Sequence, residues 1–177
     1  MKRARHLARR FFGALRPGPP SQANSAWVAS VLAPSELELW KRLVNHDRRH
    51  SIAVARRVQH ALAATTEADD PRWITAALLH DVGKLDSGLG VVGRVGATLA
   101  GAAAGHDMAD AWSAKRGVTR RFGLYLRHAE LGETRLRVIG ARAEAAVWAG
   151  AHHDEAAWAT LTFPDEVVAA LDAADDD

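Results

Sequence analysis

The chain has 177 residues, a formal net charge of +2 at pH 7 and no cysteine. Its length suits one domain with a sizeable core, and a composition of 48% hydrophobic and 25% charged residues excludes wholesale disorder. The absence of cysteine excludes a disulfide scaffold, a thiolate zinc finger, an iron–sulfur protein and a cysteine nucleophile. The unusual feature that remains is a set of nine histidines.

Charge is distributed unevenly between the two ends of the chain. Residues 1–20 contain six Lys or Arg and no acid, whereas residues 154–177 contain eight Asp or Glu and no base. Because Pro, Gly, Ser and Asn follow the basic run, we predict a flexible basic arm over 1–24 and a single domain over 25–177. Such an arm could contact nucleic acid or an anionic membrane surface, although a solvated terminus is the simpler interpretation.

No segment predicts export or membrane insertion. A Pro-rich stretch follows the basic arm at the place where a signal peptide would need an apolar region. The small-residue stretch 88–105 is interrupted by Arg94 and is too short for a transmembrane helix, so we expect a helix packed inside a soluble bundle. These features predict a cytoplasmic protein.

Helix signals begin near residue 35. Ser35 and Glu38 match a capping box at the start of a helix. Asp47 can cap a second helix, on which Val54 and Val58 continue a row of inward residues at four-residue spacing.

Asp70 followed by Pro71 predicts the start of a third helix, and Gly83 is expected to stop it. Strand signals are nearly absent. We therefore predict an all-α fold, a compact bundle of roughly seven to nine helices. Further helices are expected at Val92–Ala103, Asp107–Lys115, Thr119–Arg127, Glu130–Ile139, Ala143–His153 and Asp165–Ala174.

Helical periodicity sorts the histidines and two of the aspartates by face. An inward position is expected where a residue continues an apolar row, or where it ends a helix that is apolar nearly all round. The residues that face inward by these criteria are His50, His80, Asp81, His152, His153 and Asp175, whereas His6, His60 and His106 are expected to be exposed or structural.

Two inward carboxylates point to a metal ion. A buried carboxylate must be paired or must coordinate a metal, and Asp175 also lies near a helix C-terminus, where a negative charge is disfavoured without a cation. For any single histidine, a hydrogen-bonded structural role is the simpler explanation. Several inward histidines with two inward aspartates from separate helices are harder to explain by packing. Nitrogen and oxygen ligands without sulfur suit Fe, Mn, Zn, Ni, Co or Mg.

This pattern resembles the H…HD…D signature of the HD-domain superfamily of metal-dependent phosphohydrolases. The segments DRRHSIAVARRV, AALLHDVGK and ALDAADDD carry the likeness, which spans residues 37–175. Additional histidines in LRHAELGETRLRVIG and after the next predicted helix resemble those of binuclear members, including the HD-GYP phosphodiesterases. The chain lacks the Gly-Tyr-Pro motif, since Asp-Glu-Ala-Ala-Trp follows His153, and this departure argues against cyclic di-GMP as a substrate.

The resemblance implies an HD-domain-like bundle that holds two divalent metal ions. The implied ligands of the first metal are His50, His80, Asp81 and Asp175, and those of the second are His128, His152 and His153, with Asp81 as the bridge. Lys84 matches a family lysine near the substrate phosphate, and a surface lysine at a helix end is the alternative. His46 stands where some trinuclear relatives carry an acidic ligand, and its status as a ligand stays open.

The implied function is hydrolysis of a phosphate ester of a nucleotide or a related phosphorylated small molecule by a metal-activated water. Asp81 and Lys84 would act in catalysis, Lys84 by offsetting phosphate charge. Two alternatives remain open. One is an HD-fold di-iron oxygenase with the same six-ligand pattern, and the other is a non-catalytic module that binds a nucleotide or a partner through a retained metal site.

Overall fold

The computed structural model describes residues 18–105 and 108–176, and within them it contains eleven α-helices, one 3₁₀-helix and no strand. The all-α class is confirmed, and the helix count exceeds the predicted seven to nine. In chain order the elements are α1 (Gln22–Val31), α2 (Pro34–Lys41), α3 (Asn45–Leu62), α4 (Pro71–Leu79), the 3₁₀-helix (Val82–Asp86), α5 (Val91–Ala104), α6 (Met108–Ser113), α7 (Gly117–Leu126), α8 (His128–Val138), α9 (Ala143–Ala151), α10 (Glu155–Trp158) and α11 (Asp165–Asp176).

Helices α1 and α10 lie outside the predicted set. Helix α1 begins inside the segment predicted as an arm, because Ser21 accepts a hydrogen bond from the backbone N–H of Asn24 at 3.2 Å and so caps the helix. Its residue Val28 is fully buried in the core. Helix α10 is a single turn, capped by the aspartate that precedes it. Residues 1–17 of the predicted arm lie outside the described residues.

The predicted capping box of Ser35 and Glu38 is wrong. Helix α2 begins at Pro34, and Glu36 accepts a hydrogen bond from the backbone N–H of the N-cap residue Ala33 at 2.8 Å. Proline at the first helical position has its φ preset and has no N–H to satisfy. The helix therefore begins before Ser35.

The predicted cap of α3 is also wrong. The helix begins at Asn45 after Val44, and Asp47 lies in its first turn. The Asp47 side chain is buried and binds an arginine from another helix, as described below, so it is not available to the backbone N–H groups at the helix start.

Helix α4 is deeply buried and lies between α3 and α9. Asp70 caps it by accepting from the backbone N–H two residues later at 2.8 Å, and Pro71 follows, as predicted. Residues 73–79 are all buried, because α3 packs on one side of α4 and α9 on another, while α11 packs along α3. This packing places His80 and Asp81, at the end of α4, inside the bundle.

Gly83 does not end α4, which stops at Leu79 and is followed by the 3₁₀-helix. The 3₁₀-helix packs against α8. A Cβ at Gly83 would lie 1.8 Å from the carbonyl oxygen of His128 and 2.6 Å from the backbone nitrogen of Gly132. Glycine therefore permits a close backbone approach, which sets the spacing between the end of α4 and the start of α8.

The small-residue stretch 88–105 forms α5, so the expected helix is confirmed, but its expected position inside the bundle is wrong, because only Ala97 and Gly101 are buried and the helix lies at the surface. A Cβ at Gly96 would meet the ring of Phe122, and one at Gly101 would meet the side chain of Leu126, both on α7. The two glycines thus let α5 lie close to α7. Among the helices of the described residues, none has the length and apolar character needed to cross a membrane.

Candidate metal centre

Seven side chains singled out as ligands meet where the ends of several helices converge. Two groups of three could each hold a metal ion, because the ligand atoms within each group lie within 4.8 Å of one another. The seven are His50 on α3, His80 and Asp81 after α4, His128 on α8, His152 and His153 after α9, and Asp175 on α11.

The first group consists of His50, His80 and Asp175. Asp175 Oδ1 lies 2.9 Å from His50 Nε2 and 3.6 Å from His80 Nε2. The His80 side chain is only 1% exposed, whereas those of His50 and Asp175 are about one fifth exposed, at 22% and 20%. This group therefore has a closed inner side and an open outer side.

The second group consists of His128, His152 and His153. The ring centroids of His128 and His152 are 5.4 Å apart, and those of His128 and His153 are 5.1 Å apart. His128 and His152 are buried, whereas part of the His153 side chain is exposed. Helix α8 supplies the first histidine and the end of α9 supplies the other two, and these helices pack against each other.

Asp81 lies between the two groups. Its Oδ2 is 3.4 Å from His80 Nε2, while its Oδ1 is 3.5 Å from His128 Nε2 and 3.8 Å from His152 Nε2. One carboxylate thus directs a different oxygen to each group. This is the placement that a bridging ligand requires.

Backbone hydrogen bonds orient the three buried imidazoles. The Nδ1 atoms of His80, His128 and His152 lie 2.9, 2.8 and 2.9 Å from the carbonyl oxygen three residues earlier, to which each donates. Nδ1 therefore carries a proton in all three rings and Nε2 is the atom that faces the centre, which is the usual orientation of a metal-binding histidine. All three Nε2 atoms are buried and have no hydrogen-bond partner within the described residues.

The two carboxylates of the centre are ionised at neutral pH. Burial acts to raise the pKa of Asp81, but the charges of Lys84 and His80 lower it well below 3.8. Burial likewise acts to raise the pKa of Asp175. The charge of His80 and a hydrogen bond with His50 outweigh this effect and lower that pKa well below 3.8. The centre therefore holds two carboxylate charges largely away from water, where their interaction with a cation is strong.

The imidazoles divide into two kinds. Burial and neighbouring imidazoles lower the pKa of His152, and burial together with the charge of His128 lowers that of His153 to about 4. Burial also acts to lower the pKa of His80, but the charges of Asp81 and Asp175 raise it to about 10. His80 thus carries the balancing proton, and a metal cation bound there would displace it.

Lys84 reaches into the centre from the 3₁₀-helix. Its Nζ donates a hydrogen bond to Asp81 Oδ2, and its side chain is 11% exposed. Burial acts to lower the pKa of Lys84, but the charge of Asp81 raises it, so the ammonium stays charged. Its expected contact with a substrate phosphate stays a prediction.

A charged layer beside the centre was missed by sequence reasoning. Arg94 donates to both oxygens of the buried Asp47, at 2.6 and 2.7 Å. His46 Nε2 lies 3.0 Å from Arg94 and from Asp47, so it faces this ion pair and belongs to neither group. The Tyr125 ring stacks on that of His128 at 5.6 Å. The signal in the sequence that could have predicted this ion pair is Arg94 itself, the single arginine in an otherwise apolar, glycine-rich stretch.

The residues present fit a metal ion. Three buried Nε2 atoms without partners face two ionised carboxylates, and nitrogen with oxygen donors suits Zn, Fe, Mn, Co or Ni. Of the histidines expected to lie outside the site, His60 is exposed on α3, and His6 and His106 lie outside the described residues. The clusters could thus hold metal, and they specify neither its identity nor the number of ions.

Comparisons with protein-family models, with curated proteins and with solved structures found no match. They identify no family for this chain, and the resemblance to the HD-domain superfamily stays a prediction. A function for this centre therefore depends on the geometry of its own residues.

Proposed function

We propose that this protein is a metal-dependent phosphohydrolase that cleaves a phosphate ester of a nucleotide or a related phosphorylated small molecule. The observation that carries the proposal is the set of three buried Nε2 atoms, each without a hydrogen-bond partner and each facing a carboxylate. Buried polar atoms are rarely left unpaired in folded proteins, and three in one place support a binding site for a cation.

The two groups of ligands support a binuclear arrangement. In this proposal the first metal is held by the group of His50, His80 and Asp175, the second by the group of His128, His152 and His153, and Asp81 binds both. Two divalent cations bound in this way would polarise a phosphoryl oxygen and lower the pKa of a water molecule.

The protein's own residues supply the remaining requirements. The hydrogen bonds at Nδ1 hold the imidazoles in position without reorganisation. Lys84, held by Asp81, places a fixed positive charge beside the carboxylate, where it would offset the charge of a phosphate group. His153 and the pair of His50 and Asp175 are partly exposed, so each of the two groups can be reached by a substrate.

The test is hydrolysis by protein loaded separately with Mn, Fe, Zn, Co, Ni or Mg. The substrate panel contains phosphomonoesters, phosphodiesters and nucleotides. We expect turnover with at least one metal, and a loss of about 100-fold or more in His80→Ala and Asp81→Asn, because both remove a ligand. The matched control is His60→Ala, which removes an exposed histidine of α3 that belongs to neither group.

Three outcomes would contradict the proposal. One is metal-loaded protein that is inert on the whole panel. Nucleotide binding without turnover, unchanged in His80→Ala, would indicate a non-catalytic module. Oxygen uptake with a mixed-valent electron paramagnetic resonance signal in anaerobically purified protein would indicate a di-iron oxygenase.

A further inference from the structure

Helix α5 exposes a row of aliphatic side chains. Val92, Val95 and Leu99 are 75%, 45% and 67% exposed, and their spacing of three and four residues puts them on one face of the helix. Large aliphatic residues exposed singly are common, but a contiguous set on one surface marks an interaction site.

Ala100, which follows Leu99 of this row in the chain, lines a groove between α5 and the neighbouring helices. Ala100 of α5, Trp112 of α6 and Val118 and Phe122 of α7 line this groove. Val118 is itself 61% exposed. We call the aliphatic row and the groove together the α5–α7 face.

Positive charge borders the α5–α7 face. Lys115, Arg116 and Arg120 lie at the start of α7 or just before it, and all three are exposed. Within the described ranges, no hydrogen bond or ion pair engages these three side chains. Asp110 on α6 is already paired with Arg127 at 2.9 Å. Three cations are thus available to an external anion.

Buried contacts hold this face in place. Arg94, on the opposite side of α5 from the exposed row, binds Asp47 of α3 through two hydrogen bonds and donates a third to the carbonyl oxygen of Leu89 at 3.0 Å. The glycines of α5 allow close packing on α7. The face is therefore part of the folded body and not a loose appendage.

We propose that the α5–α7 face docks onto the surface of a bilayer that contains anionic phospholipid. Aliphatic side chains flanked by unpaired Lys and Arg match the interfacial boundary, where acyl chains lie beneath anionic headgroups. Nucleic acid would satisfy the cations and leave the aliphatic row exposed. A second copy packed about a twofold axis would bring the same cations together from both subunits.

The test is cosedimentation of the full chain with vesicles. We use phosphatidylcholine alone, and phosphatidylcholine mixed with about one third phosphatidylglycerol. Binding is expected only to the mixed vesicles, and it should weaken as salt rises from about 0.1 M to about 0.5 M.

Variants separate the apolar and charged contributions. Leu99→Asp should weaken binding about tenfold or more, because the aliphatic side chain no longer enters the interface. Replacing Lys115, Arg116 and Arg120 with Gln should abolish the preference for anionic vesicles. The matched control is Val138→Asp on α8, which replaces an aliphatic side chain that is 80% exposed on another helix by the same charged group. Circular dichroism melting establishes that each variant is folded.

Several results would overturn the proposal. Equal binding to both vesicle types would do so, as would equal losses in Leu99→Asp and Val138→Asp. Another is binding that vanishes when the basic residues of 1–17 are changed to Gln and is indifferent to Leu99→Asp, which would assign it to the arm. Leu99→Asp that abolishes a dimer in sedimentation velocity, with no vesicle binding by the wild type, would assign the face to self-association. Oligonucleotide binding lost with the three cations and without vesicle binding would assign it to nucleic acid.

Discussion

Replacing Gly83 by alanine tests whether the close contact between the 3₁₀-helix and α8 builds the candidate centre. The new Cβ would lie 1.8 Å from the carbonyl oxygen of His128, 2.6 Å from the nitrogen of Gly132 and 2.8 Å from the carbonyl carbon of His128. All three atoms are backbone atoms, so no side-chain rotation can relieve the overlap. The variant can fold only if α8 and the 3₁₀-helix move apart.

The size of the movement follows from these distances. Because non-bonded contacts normally lie at about 3.5 Å, the two backbones must separate by roughly 1.5 Å. Overpacking in a close-packed interior costs about 1–3 kcal/mol and occasionally more, and a clash with rigid backbone belongs at the upper end. We therefore expect Gly83→Ala to lose about 3 kcal/mol of unfolding free energy.

The same movement should reach the ligands. His128 Nε2 lies 3.5 Å from Asp81 Oδ1, and these residues sit on the two segments that Gly83 holds together. A displacement of roughly 1.5 Å is large compared with the tolerance of a metal–ligand bond, about 0.2 Å. The variant should therefore bind less metal per folded chain than the wild type.

The assay combines urea unfolding at 25 °C with elemental analysis of the folded fraction. The matched control is Gly96→Ala on α5, whose new Cβ would meet only the tip of the Phe122 ring, at 3.4 Å. Alanine is also the better helix former there, so Gly96→Ala should be at least as stable as the wild type. A Gly83→Ala protein with wild-type stability and metal content would refute the reasoning.

Further stability predictions use the same unfolding measurement. Asp70→Ala should lose about 1 kcal/mol because it removes the cap of α4, and an unchanged midpoint would contradict that assignment. Glu36→Gln should lose about 1–3 kcal/mol, because its buried carboxylate accepts from the backbone N–H of Arg142 at 2.9 Å and from its guanidinium at 2.7 Å. Asp47→Ala should lose about 3 kcal/mol or more, because it leaves Arg94 unpaired in the interior. Burial acts to raise the pKa of Asp47, but contacts with a neighbouring histidine and Arg94 lower it well below 3.8. Its stabilisation is therefore present above pH 4 and is lost as the pH falls further, so the gap between Asp47→Ala and the wild type should narrow below about pH 4. A stability difference between Asp47→Ala and the wild type that widens below about pH 4 would contradict the lowered pKa of Asp47.

Short-range patterns were sufficient for the start and the burial of α4, although they misplaced the caps of α2 and α3. The start of α4 at Asp70-Pro71 is confirmed, since the cap and the proline act on the backbone within one turn. The buried character of α4 is also confirmed, because a helix that is apolar nearly all round has no face to offer to water. Both features are local consequences of residue type and spacing.

The placement of the ligands could be anticipated in part. Periodicity put His80, His152 and Asp175 on inward faces, and the structure brings them together. Periodicity gave no reason to include His128, which entered only through the resemblance to a family pattern. Its position depends on the approach of α8 to the 3₁₀-helix, and no local signal near His128 encodes that approach.

Features that join distant segments could not be predicted. From sequence alone, a glycine at position 83 indicates the end of a helix, because Gly commonly follows the last helical residue. Its actual role is a close backbone contact, which exists only because α8 packs against it. Asp47 is of a residue type that commonly caps helices. Its side chain instead binds Arg94, which lies on another helix 47 residues later. In both cases tertiary packing overrides the local preference.

We propose that these side chains hold two metal ions, and elemental analysis of protein purified without chelator measures how many are bound. We expect close to two equivalents of a transition metal per chain in the wild type, and a clear decrease in Asp81→Asn, because that residue faces both groups. About one equivalent would contradict the binuclear arrangement. Metal-free protein that also fails to bind metal when the ions are supplied would contradict the claim altogether.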